Sequence, residues 1–127
     1  AERAMVVHGR EGLDEISISG PTLAAELHNG DIRTFEITPE DAGLMRAPPE
    51  AIKGGDAAHN AKALRALLEG ADDPYHDVVV LNAAAALMVA GKADTLRDGA
   101  ALAIESLRSR KALDALEALI KTTKAPA

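Results

Sequence analysis

The chain contains no cysteine. Disulfides, thiolate metal sites and cysteine nucleophiles are excluded together, and a reducing compartment fits. Aromatic residues are nearly absent: one Phe, one Tyr and no Trp among 127 residues. Single-stranded nucleic acid is gripped by stacking on aromatic faces, and this chain has no such platform. Long basic runs are missing too, and the formal net charge is −6. A phosphate backbone would meet a repulsive average field, so nucleic acid is not an expected partner. A local basic pocket for a small phosphorylated metabolite stays open. The longest apolar stretch, Val78 to Ala90, is interrupted by Asn82 and falls well short of the roughly 20 residues that span a bilayer. No basic-then-apolar leader pattern opens the chain. The reading is of a soluble, cytoplasmic protein with no membrane partner.

Apolar residues make up 47% of the chain, so it is not disordered. With so few aromatics the core must be aliphatic and alanine-rich, which favours closely packed helices. The length suits one domain with one core. An apolar strand begins within four residues of Ala1, and the expectation is that the chain is part of a longer one.

The expected class is α/β, or α+β within this chain: strands and a hairpin over residues 1–44, a helical portion over 45–127. Residues 4–8 (Ala-Met-Val-Val-His) read as a short buried strand bounded by Gly9. Its outer partner strands are expected to lie outside the chain, leaving an exposed sheet edge. Ile16-Ser17-Ile18-Ser19 alternates apolar and polar, as a half-buried strand does. Thr22–Leu27 and Ile32–Ile37 flank His28-Asn29-Gly30-Asp31, and Asn-Gly supplies the positive φ of a tight hairpin. Neither face of that hairpin is cleanly apolar, so part of it should be exposed. Thr38-Pro39-Glu40-Asp41 opens a helical turn limited by Gly43, and a short helix is expected at Pro49–Lys53. Four helices follow. The first runs from Ala57 to Glu69 behind the Asp56 cap, with Ala61, Leu64, Leu67 and Leu68 inward. The second runs from Pro74 to about Ala90 and is apolar on nearly every side, hence central. The third begins at Asp94 or Thr95 and ends near Leu107. The fourth is capped by Ser109, with Ala112, Leu113, Leu116, Leu119 and Ile120 on one face, and should fray from Thr122.

The strongest functional candidates are Asp14 and Glu15, adjacent acids on the loop after the first strand. Such a pair can hold Mg²⁺, a hard cation that takes oxygen ligands and keeps several waters. From spacing alone, two solvated acids capping nearby amides are the more ordinary reading. Gly54-Gly55-Asp56 suggests a phosphate loop, but Asp56 puts a negative charge where the anion would sit, and a helix cap is simpler. His8 reads as a hydrogen-bonded core histidine, and no catalytic role falls to His28, His59 or His76. Asn82, in the apolar helix, should be buried and bonded to a neighbouring loop. Lys92 is a candidate carbonyl-capping cation. No nucleophile elbow, Lys-Ser/Thr phosphate loop or zinc-type histidine pair is present.

Several blocks in fixed order carry a resemblance. They are Val6-Val7-His8-Gly9, Gly12-Leu13-Asp14-Glu15-Ile16-Ser17, Gly20-Pro21-Thr22, Ile37 to Leu44, Gly54-Gly55-Asp56-Ala57, Asn60-Ala61, Leu81-Asn82-Ala83-Ala84-Ala85-Ala86-Leu87 and Ala90-Gly91-Lys92-Ala93. Together they resemble the C-terminal part of the α/β domain of anthranilate phosphoribosyltransferase, although that family usually has an aromatic at the position of Ala42. The resemblance implies a nucleoside phosphorylase/phosphoribosyltransferase-type domain joined to a smaller helical one. It implies Mg²⁺-dependent transfer of the phosphoribosyl group from phosphoribosyl pyrophosphate to anthranilate, in tryptophan biosynthesis. It places the Mg²⁺ carboxylates at Asp14 and Glu15. The family's glycine-rich phosphate loop, Lys-His-Gly-Asn stretch, anthranilate clamp and helical domain, through which it forms homodimers, would all lie before Ala1. The chain alone is therefore expected to be inactive. The alternatives are a relative of pyrimidine nucleoside phosphorylase and a non-catalytic α/β module that binds a partner through its helical face.

Overall fold

A computed structural model describes residues 1–126. Three antiparallel strands precede four helices: β1 (Arg3–Gly9), β2 (Thr22–His28), β3 (Asp31–Ile37), α1 (Ala57–Leu68), α2 (Pro74–Val89), α3 (Leu96–Arg108) and α4 (Lys111–Lys124). Single 3₁₀ turns at Pro39–Ala42 and Pro49–Ile52 lie between the strands and the helices. The class is α+β.

The Asn-Gly signal produces the expected hairpin. Asn29 and Gly30 have φ of 54° and 82°, the left-handed pair that joins strands with their natural twist. The sheet order is β1-β2-β3. β1 pairs with β2, Val6 facing Ala25 and Val7 facing Ala24, so the first strand finds one partner within the chain rather than only outside it. Ile37 is buried, whereas Ile32 is 76% exposed. The hairpin is thus covered on one face and open on the other.

Ile16–Ser19 does not form a strand. Ile16, Ser17 and Ile18 are all buried, so the alternation does not mark one dry and one wet face. The Ile16 and Ser17 amides bond the Asn82 and Thr22 side chains instead of a neighbouring ladder.

The helices fall where their caps and apolar spacing put them. Asp56, Asp73 and Thr95 accept from the amides of His59, His76 and Asp98, satisfying donors that every helix start leaves free. α2 is central: Val80, Leu81 and Ala84 are fully buried, and the helix packs on α3, β1 and both 3₁₀ turns. Three details differ. Ala61 is exposed rather than inward. The cap of α4 is Arg110, at φ 64°, and Ser109 instead ends α3, its hydroxyl donating to the Ser106 carbonyl. α4 continues to Lys124 and has no fully buried residue, Leu119 being 59% exposed. An apolar groove of about 650 Å³ therefore opens beside α2, its walls including Leu68, Leu87, Leu102 and Ala112.

The scarcity of aromatics shows in how closely α2 and α3 approach. A Cβ on Gly99 would lie 2.7 Å from the Ala84 carbonyl oxygen and 2.9 Å from the Ala84 Cα. Both are backbone atoms and cannot rotate away. Gly99→Ala is expected to lower the unfolding free energy by about 2 kcal/mol through overpacking, although alanine is the better helix former. Urea denaturation measures this, and a stabilised variant would contradict the packing described.

A charged cluster crosses the covered face of the sheet. Glu26 is 4% exposed and accepts from Arg3 at 3.4 Å and Arg33 at 3.1 Å. Arg33 also lies 4.6 Å over the Phe35 ring. Burial opposes ionisation of Glu26, but the two guanidiniums outweigh it and hold the pKa below the usual 4.5. A depressed folded-state pKa gives stability that is complete above the unfolded-state value and is lost as pH falls through the folded one. Glu26→Gln should therefore cost about 2 kcal/mol at pH 7. The difference from the parent should shrink on acidification below 4.5. A difference that stays constant down to the acid transition would show that Glu26 is not the group titrating.

Candidate functional site

The loop from Gly9 to Ser19, between β1 and β2, is built from its own backbone and hydroxyls. Gly9 donates to the Leu13 carbonyl at 3.0 Å, and Gly12 to the Gly9 carbonyl at 2.8 Å. Gly12 has φ 97°, a conformation open chiefly to glycine. Gly9 is packed so tightly that a Cβ there would sit 3.1 Å from the Leu13 Cβ. The Glu11 carboxylate receives the Ser17 hydroxyl and, at 2.9 Å, the Ser19 hydroxyl. The Ser17 bond lowers its pKa, against a smaller opposing effect of burial.

Asp14 is exposed and Glu15 half-buried in the middle of this loop. Glu15 opens onto a cleft of about 380 Å³. Glu11 and Leu13 share its wall, and Glu50, Ile52, Lys53 and Gly54 line the cleft from the second 3₁₀ turn and the residues after it. Asp14 is not among the lining residues. Burial pushes the Glu15 pKa up, and the neighbouring charge of Asp14 adds to it. Two adjacent oxygen donors whose charges oppose each other are a suitable seat for a hard divalent cation, which relieves that opposition and draws further ligands from water and substrate.

Asn82 bonds the neighbouring loop as its place in an apolar helix predicts, but it is half-buried rather than buried. Its Oδ1 accepts from the Ile16 amide and its Nδ2 donates to the Ile16 carbonyl, each at 2.9 Å. Nδ2 also donates to the Val78 carbonyl, one turn back in α2. The residue directly after Glu15 is thus gripped on both sides of its backbone.

A similar device lies just past the cleft, at the start of α1, and no local sequence signal points to it. Asn60 accepts from the Gly55 amide at 2.9 Å and donates to the Gly55 carbonyl at 3.1 Å. Asp56 caps α1, so Gly54-Gly55-Asp56 is a helix start as expected. Sequence reasoning misses Glu11 and Lys53 as cleft residues. Neither lies in an apolar setting that would make it stand out.

His8 is exposed, not a core histidine, because its position on β1 faces the open side of the sheet beside Leu23. His28 and His59 are exposed as well. Lys92 bonds the Leu87 carbonyl through its backbone amide at 2.8 Å rather than through its ammonium. A second group of possible metal donors, also unforeseen, lies elsewhere: Asp72, His76 and Asp77, all within 4.8 Å of one another. There the His76 Nδ1 stands 3.0 Å from the Asp77 Oδ1.

The chain is similar to known proteins along nearly its whole length. Residues 1–113 match the model of the glycosyl transferase family, a/b domain. The chain is 60% identical over 125 residues to an anthranilate phosphoribosyltransferase of Rhodopseudomonas palustris strain HaA2, spanning 98% of this chain and 37% of that protein. It superposes with a TM-score of 0.86 on the crystal structure of anthranilate phosphoribosyltransferase from Thermus thermophilus. That match, at 41% identity, covers 97% of this chain and 36% of the other. The yeast anthranilate phosphoribosyltransferase in complex with phosphoribosyl pyrophosphate and Mg matches at TM-score 0.81 and 27% identity, over 89% of this chain and 33% of the other. The chain thus spans little more than a third of these relatives and belongs, through the residues it shares with them, to the glycosyl transferase family with the a/b domain.

Proposed function

We propose that this chain is the C-terminal portion of the α/β domain of a Mg²⁺-dependent anthranilate phosphoribosyltransferase. In this reading, residues 1–44 supply the strands and the acid loop, and 45–127 the helical portion. The single observation that carries it is the match of 125 residues, 98% of this chain and 37% of the relative, to a protein of that name at 60% identity. The substrates are then phosphoribosyl pyrophosphate and anthranilate, in tryptophan biosynthesis. The yeast relative, crystallised with the first of these and Mg, supports that choice over a pyrimidine nucleoside phosphorylase. No helix among the described residues is long and apolar enough to cross a membrane, in keeping with a cytoplasmic enzyme. The homodimer contact and the anthranilate clamp belong to other parts of the enzyme, so these 127 residues alone are inactive.

Asp14 and Glu15 hold the metal in this reading. When bound, Mg²⁺ neutralises charge developing on the pyrophosphate leaving group. The chain's own part is to present two carboxylates on a braced loop, with Glu15 turned into the cleft and Lys53 in the lining. The Lys53 ammonium attracts the same anionic ligand. A second reading, a non-catalytic module docking through its helices, draws on the apolar groove beside α2.

In the complete enzyme, Asp14→Asn and Glu15→Gln should each cut Mg²⁺-dependent turnover by about 100-fold. Each should leave the unfolding free energy within about 0.5 kcal/mol of the parent, as exposed or half-exposed substitutions do. Steady-state rates over a Mg²⁺ titration, with thermal melts alongside, decide it. Parental Mg²⁺ activation in both variants would remove the pair from the site. Phosphoribosyl transfer by the isolated 127 residues would refute the claim that the other parts are required.

A further inference from the structure

We infer that Asn82 is the positioning residue for the acid pair: its amide clamp on Ile16 sets how tightly Asp14 and Glu15 hold a divalent cation. The inference rests on the metal reading above and deepens it.

The clamp is unusual in what it spends. α2 is apolar on nearly every side, and a leucine at the half-buried position 82 would pack there with no amide to satisfy. An amide in such surroundings is costly unless bonded. Here both N–H donors of Asn82 and one lone pair of its oxygen are engaged, and two of the three bonds go to a single residue of the loop. One bond would locate Ile16. Two bonds, to its N–H and its C=O, also fix its rotation about the chain direction. The Ile16 amide belongs to the peptide plane that carries the Glu15 carbonyl, so the direction in which Glu15 leaves the backbone follows from the clamp. Ser17 is anchored in turn by the Thr22 hydroxyl at 2.9 Å, and Ile16 and Ile18 are buried at 1% and 0% exposure. On the N-terminal side of the pair one backbone bond, from the Gly9 amide to the Leu13 carbonyl at 3.0 Å, holds the peptide that leads into the exposed Asp14. The C-terminal side is held by the two bonds of Asn82, which α2 supplies across 66 residues of sequence. Partners of this kind, one step behind a metal's ligands, govern affinity by how well they fix the ligands.

The experiment measures Mn²⁺ binding to the complete enzyme by electron paramagnetic resonance, with inorganic pyrophosphate present and no turnover. The proteins are the parent, Asn82→Ala, Asn82→Ser, Asp14→Asn, Glu15→Gln and Ala103→Gly. The last weakens a buried position in α3 and serves as the control for simple loss of stability. Asn82→Ala and Asn82→Ser should each weaken Mn²⁺ binding by about tenfold. Ala103→Gly, though less stable, should bind as the parent does. In rate measurements the Mg²⁺ concentration for half-activation should rise in the Asn82 variants, with kcat at saturating Mg²⁺ near the parental value. Parental Mn²⁺ affinity in the Asn82 variants, with weakened affinity in Asp14→Asn or Glu15→Gln, overturns this inference and leaves the metal reading standing. Parental affinity in both acid variants overturns the metal reading itself. An equal loss of affinity in Ala103→Gly reduces Asn82 to a structural part and also overturns the inference. Hydrogen exchange on the unmutated enzyme needs no variant: the Ile16 amide should be protected, and slowed further by Mg²⁺ with pyrophosphate. An Ile16 amide exchanging as fast as that of an exposed loop would overturn the proposal even if every Asn82 variant failed to fold.

Discussion

The joint between Ile16 and Asn82 is the constraint that ties the two halves of this molecule together. The chain between β1 and β2 passes through the interior without a strand to pair with. Buried backbone polar groups must find partners, and each one left alone costs on the order of 1–3 kcal/mol. Asn82 answers both groups of Ile16 at once, and Thr22 answers the next amide. Those bonds allow Ile16 and Ile18 to reach the core as completely as strand residues would. Each contributes roughly 1.5–3 kcal/mol of apolar burial. Without the side-chain bonds, the same burial would be offset by the stranded peptides. The sheet and the helical layer are therefore joined at the place where the loop's two acids emerge.

Around that joint the packing is tight because the side chains are small. Ala84 and Ala85 of α2, with Gly99, Ala100 and Ala103 of α3, are all buried. The two helices come close enough that Gly99 rests on the Ala84 backbone. Bulky residues would separate the helices and fill the gap with flexible side chains. Here backbone meets backbone, so α2 has little freedom to shift relative to α3. The looser element is α4, whose apolar face is only partly covered.

Local signals are the legible part of the sequence. Asn29-Gly30 dictates a hairpin, and Asp56, Asp73 and Thr95 dictate helix starts, because each acts on backbone within a few residues of itself. Asn82 is legible as an anomaly, a polar group where every neighbour is apolar. The Ile16–Ser19 segment is not. Alternation reports which side chains are buried and is silent on where the backbone bonds go; here they go to side chains distant in sequence. His8 fails for a related reason. Whether an end of β1 faces core or solvent depends on which side the helices cover, and no residue near His8 encodes that. Glu11 and Lys53 sit among ordinary polar neighbours, and only the folded chain brings them around one cleft.

The charge of the molecule gives the proposed metal a task that follows from the fold. The chain carries a formal charge of −6, and the cleft adds Glu11, Glu15 and Glu50 against the single ammonium of Lys53. A pyrophosphate entering that space would be repelled by the groups nearest to it. The Ser17 and Ser19 hydroxyls keep Glu11 ionised, so protonation does not remove the repulsion on that side. Glu15 differs: its burial and the neighbouring charge of Asp14 push its pKa up. A divalent cation held by the acid pair would offset both effects and make the wall attractive to phosphate oxygens. The acids are then not ligands that happen to lie near a substrate site. On this reading, an acidic wall becomes a phosphate-binding one only with the metal in place, and affinity for metal and for pyrophosphate must rise together.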